Sequence, residues 1–205
     1  MFFKKKDDRI GKLTANAGNI IEMLKHALRS EKGLDMTTVL LFAAGLSGIA
    51  CHEAVKAYQG HFELVTTKGG RKYYFGDEVN KYLFENDNAV VPLITAVSGN
   101  SKEEVEGIIK ECAENITTDD NSFGSIGSEQ FYQSVKQCWD GIFNNMTGKY
   151  CNDASEWPIL FGIVLQNIIL QSIQVGAPKE EAGKMAIECA YLLSKIDDDT
   201  FGTAQ

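Results

Sequence analysis

Residues 39–51 read Val-Leu-Leu-Phe-Ala-Ala-Gly-Leu-Ser-Gly-Ile-Ala-Cys and are apolar nearly all round a helical wheel. Residues 157–175 are almost as apolar, with Asn167, Gln171 and Gln174 as their clear polar stripe at i, i+4 and i+7. A helix hydrophobic on every side has to be enclosed. Each large side chain left in water forgoes about 1.5–3 kcal/mol. One core seldom covers two such helices. Either both are central and ringed by amphipathic partners, or one completes its burial against a second copy of the chain. Neither reads as a membrane span: 39–51 is too short, and the second stretch carries Pro158, Gln166, Asn167, Gln171 and Gln174.

The ring is legible in the rest of the chain. Leu13, Ala17, Ile20, Ile21, Leu24 and Leu28 recur at spacings of three and four and predict a helix over 13–29. The apolar run itself belongs to a helix over 36–58 that turns amphipathic at Glu53, Lys56 and Gln59. Asp77 is placed as the cap of a short helix carrying Val79, Tyr82 and Leu83, and 89–97 forms another. Ser101 and Glu104 form a capping box ahead of Val105, Ile108, Cys112 and Ile116. Ser128 caps a helix lined by Phe131, Tyr132, Val135, Trp139 and Ile142. Ser155 opens the second apolar helix, which runs to Gly176, and Pro178 opens a last one to 196.

One stretch has a different period. Residues 62–67 and 71–75 are β-branched or aromatic, and Lys68-Gly69-Gly70 joins them as a hairpin loop. Phe62, Leu64 and Thr66 are expected to face the helices. The fold class that follows is mainly α (α+β), one domain over 1–205 with about seven or eight helices and one β-hairpin near 61–76. Residues 1–10 and the acidic stretch 197–205 are expected as flexible termini, and the polar 117–127 loop is the one place where the domain could subdivide.

Charge and cysteines narrow the classes of function. The 205 residues carry a net charge of −8, which repels phosphate backbones and argues against nucleic acid as partner. The basic cluster Lys4, Lys5, Lys6 is followed at once by Asp7 and Asp8 and reads as a solvated terminus. Cys51, Cys112, Cys138, Cys151 and Cys189 form no CxxC pair, so a zinc ribbon is not expected and reduced, packed thiols are. No apolar stretch of a signal peptide follows Phe2 and Phe3, which with the cysteines points to the cytoplasm. The sequons at Asn115 and Asn145 carry no weight there.

Chemistry leaves few traces. Neither phosphate-loop signature occurs. Cys51-His52-Glu53 holds a thiol beside an imidazole, but helical neighbours point about 100° apart, so the two cannot pair. His26, His52 and His61 lack metal-ligand spacing, and no cofactor or metal is expected. Asp119, Asn121 and Gly124 match three positions of a calcium loop, but Phe123 stands where an oxygen ligand belongs and Gln130 where the bidentate Glu belongs. Two readings remain. The first is a non-catalytic module that self-associates, as a homodimer, or binds a protein partner. The second is a small-molecule binder or enzyme whose site lies between the hairpin and the 39–58 helix, where His52, His61, Arg71 and Tyr73 would converge.

Overall fold

A computed structural model of the chain describes residues 9–118, 121–146 and 151–201. The lysine cluster, the ends 1–8 and 202–205, and the Asp119–Asp120 part of the calcium-like loop lie outside them. The described residues form eight α-helices and one two-stranded antiparallel hairpin, a mainly α domain. In order these are α1 (Arg9–Ala27), α2 (Met36–Ala57), β1 (Glu63–Thr66), β2 (Lys72–Phe75), α3 (Asp77–Phe84), α4 (Val90–Ser98), α5 (Lys102–Thr118), α6 (Glu129–Met146), α7 (Trp157–Gln174) and α8 (Lys179–Leu193).

The two apolar helices are both central. α2 packs most extensively on α7 and α8; α1 and α4 close over α7, α5 over α8, and α3 and α6 over α2. Ile168 and Ile169 of α7 are completely buried within one chain, while Leu170 and Val175 at its end stay exposed. Both helices are long and apolar enough to cross a membrane by length and composition, and most of each is buried inside this fold.

Small residues let α2 approach α8 to backbone contact. A Cβ on Gly48 would sit 2.4 Å from the Ala190 carbonyl oxygen and 2.9 Å from the Ser194 nitrogen. Ser47 makes the polar link to α7: its hydroxyl lies 2.9 Å from the Ala43 carbonyl and 3.0 Å from the Phe161 carbonyl. Asp35 caps α2, accepting from the Thr37 and Thr38 amides, and its other end closes through Gly60 N–H to the Val55 carbonyl. The expected capping box of α5 is present, Ser101 and Glu104 bonding each other's backbone amides, and Ser128 caps α6.

Four expectations are corrected. Arg9 and Ile10 are not a free end but the first residues of α1. The stretch expected as a loop over 117–127 is helical at both ends, as α5 to Thr118 and as a 3₁₀ segment over Asn121–Gly127. Gly76, not Asp77, is the cap residue of α3. In the hairpin, Leu64 points to solvent at 52% exposure, while its neighbour Val65 lies opposite the buried Tyr73. The reason is that both strand faces carry aromatics. Val65 and Tyr73 bury one face, while on the Leu64 face only Phe62 and Tyr74 reach α2, at His52, and Leu64 itself is left in solvent.

The same substitution at two glycines should have opposite effects. Gly48→Ala forces helix backbones apart and should cost about 1–3 kcal/mol. Gly18→Ala sits on the exposed side of α1 with nothing within 4 Å, and should stabilise by about 0.5–1 kcal/mol. Urea unfolding of the two variants reads both signs.

Candidate functional site

A group of polar side chains lies where the end of α2 meets the hairpin, and the stretch after α8 builds it. After α8 the chain turns at residues 194–200 and runs along the free edge of β2. The Tyr74 N–H donates to the Lys195 carbonyl at 2.8 Å and the Lys72 N–H to the Thr200 carbonyl at 3.2 Å. The stretch Asp197–Thr200, expected as part of a free acidic tail, is therefore docked. Each of its three carboxylates has a partner. Asp197 takes Lys56 Nζ at 3.1 Å. Asp198 accepts from the Tyr132 hydroxyl at 3.0 Å. Asp199 accepts from the Tyr74 hydroxyl at 2.5 Å and pairs with Lys72 at 3.0 Å. Thr200 is buried, and its hydroxyl oxygen accepts the Asp197 N–H at 2.9 Å.

His52 stands at the centre, 2% exposed. Its ring stacks on Phe62 at 4.6 Å and meets Tyr74 edge-on at 5.5 Å. Nδ1 lies 3.2 Å from the Ser194 carbonyl. Nε2 lies 3.4 Å from Asp197 Oδ2, an ion-pair distance without the alignment of a hydrogen bond. Both groups facing the ring are thus acceptors. Facing His52 lowers the Asp197 carboxyl below the usual carboxylate range; burial opposes this, and the Asp198 amide and Lys56 add to it.

Lys195 is completely buried. Its ammonium donates to Asn80 Oδ1 at 3.0 Å and lies 5.1 Å and 5.4 Å from the ring centres of Tyr191 and Phe75. Burial pulls it down to about 8. Glu53 holds Lys136 at 3.2 Å and so ties α6 to the same corner.

Of the four residues expected to converge, the structure places His52 here and the others elsewhere. His61 is exposed, its amide donating to Glu78 Oε2 at 2.7 Å. Arg71 lies over the Phe201 ring at 5.7 Å. Tyr73 is buried on the opposite face of β2 from Tyr74. The space between hairpin and α2 holds Phe62, Tyr74 and the 194–200 turn. The residues missed from sequence are Tyr132, Lys195 and the three aspartates. The available signal was Lys72 and Tyr74, two residues apart on one strand face with no predicted acidic partner.

The five cysteines are unbridged. Burial raises every thiol, that of Cys151 to about 12 with the Glu156 carboxylate adding, and that of Cys112 to about 12. Such thiols are weak nucleophiles. Among the described residues no group of three or more His, Cys, Asp or Glu side chains is arranged to hold a metal.

Several clefts open on the surface among the described residues. A groove of about 510 Å³ lies between α1, α2 and α6, floored by Met23, Leu24, Phe42, Cys138 and Ile142. A cleft of about 380 Å³ lies where α2 and α8 begin and α7 ends. A smaller one of about 280 Å³ lies beside Tyr58, Glu78 and Tyr82. Comparison of the chain with protein-family models, with curated proteins and with solved structures finds no match.

The Asp197 shift has a defined pH signature. Its folded-state carboxyl is depressed, so its stabilising share is complete above the unfolded value of about 3.9 and is lost as pH falls toward the folded one. Unfolding free energy of the wild type should therefore drop more steeply below about pH 4 than that of Asp197→Asn. Chemical denaturation across an acid pH series checks the difference in slope.

Proposed function

We propose that the chain is a non-catalytic helical module that works by association, with a second copy of itself as partner, in a reducing compartment such as the cytoplasm. The observation that carries this reading is the groove between α1, α2 and α6. Its floor is Met23, Leu24, Phe42 and Ile142, and Gln137 and Ser134 supply its polar edge. A groove this apolar is a surface built for another apolar surface. Its two walls are helices, which suits an apolar helix face laid between them. Met23 adds an unbranched side chain that adapts its shape to a partner.

The reactive groups support the same reading from the other side. His52 is enclosed by Phe62, Tyr74 and Asp197. The Lys195 amine is buried under two rings. The thiols are raised, and the carboxylates of the 197–199 turn are occupied by Lys56, Lys72, Tyr74 and Tyr132. General acid–base or nucleophilic work needs such groups at a surface a substrate can reach. Here they hold the chain's end in place.

Ala27 is exposed on the α1 wall of the groove, so Ala27→Arg sets a charge on the groove without disturbing the core. Sedimentation velocity should show the wild type associating with rising concentration and the variant shifted toward monomer by about tenfold or more in dissociation constant, as for loss of a well-packed contact. Circular dichroism should be unchanged. A wild type that stays monomeric at every concentration overturns the reading.

A further inference from the structure

We propose that the amino-terminal segment Met1-Phe2-Phe3-Lys4-Lys5-Lys6 of one copy docks in the cleft at the α2–α7–α8 corner of a second copy. The inference rests on the association reading above and names the segment and the site.

The cleft has an apolar floor and an acidic rim. Leu40 and Ala182 are buried at its base, with the half-buried Met36 and Met185 at its sides. Asp35 and Glu181 stand on the rim. The Asp35 carboxyl is held below its ordinary range by the Thr38 hydroxyl and stays ionised. The Glu181 carboxylate has no hydrogen-bond or ion-pair partner among the described residues, whereas the neighbouring Lys179 and Lys184 are paired with Glu180 and Glu188. The starts of α2 and α8 each contribute about half a positive charge. Two carboxylates outweigh them, and the rim is left acidic.

What fits such a cleft is an apolar side chain followed by cations. The chain carries that order once in its sequence, two phenylalanines and then three lysines at residues 2–6. Within one copy the segment would have to run fully extended along the whole of α7 and lose its conformational freedom. Arg9 opens α1 and pairs with Glu156 beside the start of α7, while the cleft lies past the other end of α7, at Val175 and Gly176. The 18 residues of α7 span about 27 Å at 1.5 Å per residue. Phe3 is six residues from Arg9, a reach of about 21 Å even fully extended. A second copy laid antiparallel brings its segment to the cleft and offers its own cleft in return. The contact then closes as a two-fold pair and does not propagate.

The test uses the full-length protein in sedimentation velocity at low and moderate salt. Three variants are compared with wild type: Glu181→Lys, the triple change Lys4→Glu, Lys5→Glu, Lys6→Glu, and the two combined. Each reversal alone should weaken the dimer by about tenfold, the effect growing at low salt, and the combination should recover most of the loss. Phe2→Ala with Phe3→Ala should weaken it at every salt concentration. Circular dichroism confirms that each variant is folded. If the dimer forms but neither reversal changes it while Ala27→Arg does, this docking is wrong and the association reading stands. If the single reversals weaken the dimer and the combination gives no recovery, the two groups do not meet and the docking is equally overturned. A wild type monomeric throughout overturns both.

Discussion

The approach of α2 to α8 at Gly48 sets the geometry on which the rest of the fold depends. With no side chain at that point, the backbones of the two helices touch, and Gly45 lets Leu193 and Val135 fill the next turn. Helices that close leave no gap for water, so the apolar residues of α2 are enclosed on that flank by α8 and on the other by α7. Two nearly all-apolar helices can then share one core within a single chain. The amphipathic helices α1, α5 and α6 each contribute one stripe and leave their polar faces to water, while the apolar α4 closes over α7 and α8.

The same contact fixes where the chain emerges from α8. Ser194 lies against Gly48, so residues 195–200 leave the helix beside the last turns of α2 and meet the open edge of β2. A hairpin with four paired positions is marginal by itself. Here its free edge is paired by the returning chain, and His52 and Lys56 on α2 supply the charge and ring surface against which the turn settles. Three successive aspartates would repel one another in isolation. Lys56, Lys72 and the hydroxyls of Tyr74 and Tyr132 each neutralise or solvate one of them, and the acidic stretch becomes a closure instead of a tail.

Much of the helical framework was legible from periodicity, because burial stripes at three- and four-residue spacing are a local property. The stripe of Leu13, Ala17, Ile20 and Leu24 is buried as read, and the Ser101–Glu104 box caps α5. What was not legible depends on partners distant in sequence. Composition alone makes Asp197-Asp198-Asp199 a solvated tail, and nothing local says that Tyr132, 66 positions earlier, waits for one of them. The same limit applied to His52, His61, Arg71 and Tyr73. Being near one another in sequence put them on one hairpin and helix end, but strand alternation sends Tyr73 and Tyr74 to opposite faces, and the aromatic ring that reaches His52 is Tyr74. For Leu64 the period was right, but each face of the hairpin buries only part of its residues: Phe62 and Tyr74 on its own face meet His52 and leave Leu64 uncovered.

The distribution of polar and apolar groups also separates two uses of surface. Desolvating His52, Lys195 and the half-buried Asp197 is costly unless each is matched, and here the matching is internal: carbonyls, ring faces and the ammonium of Lys56. The groove between α1, α2 and α6 and the corner of α2, α7 and α8 carry the opposite signature. Their floors are methionine, leucine and phenylalanine side chains whose contacts are incomplete in one chain. Dispersion and burial energy still available at those places can be gained only by bringing in further atoms. The polar corner ties the end of α2, the hairpin and the 194–200 turn together, and the apolar clefts are where the proposed association would gain its burial.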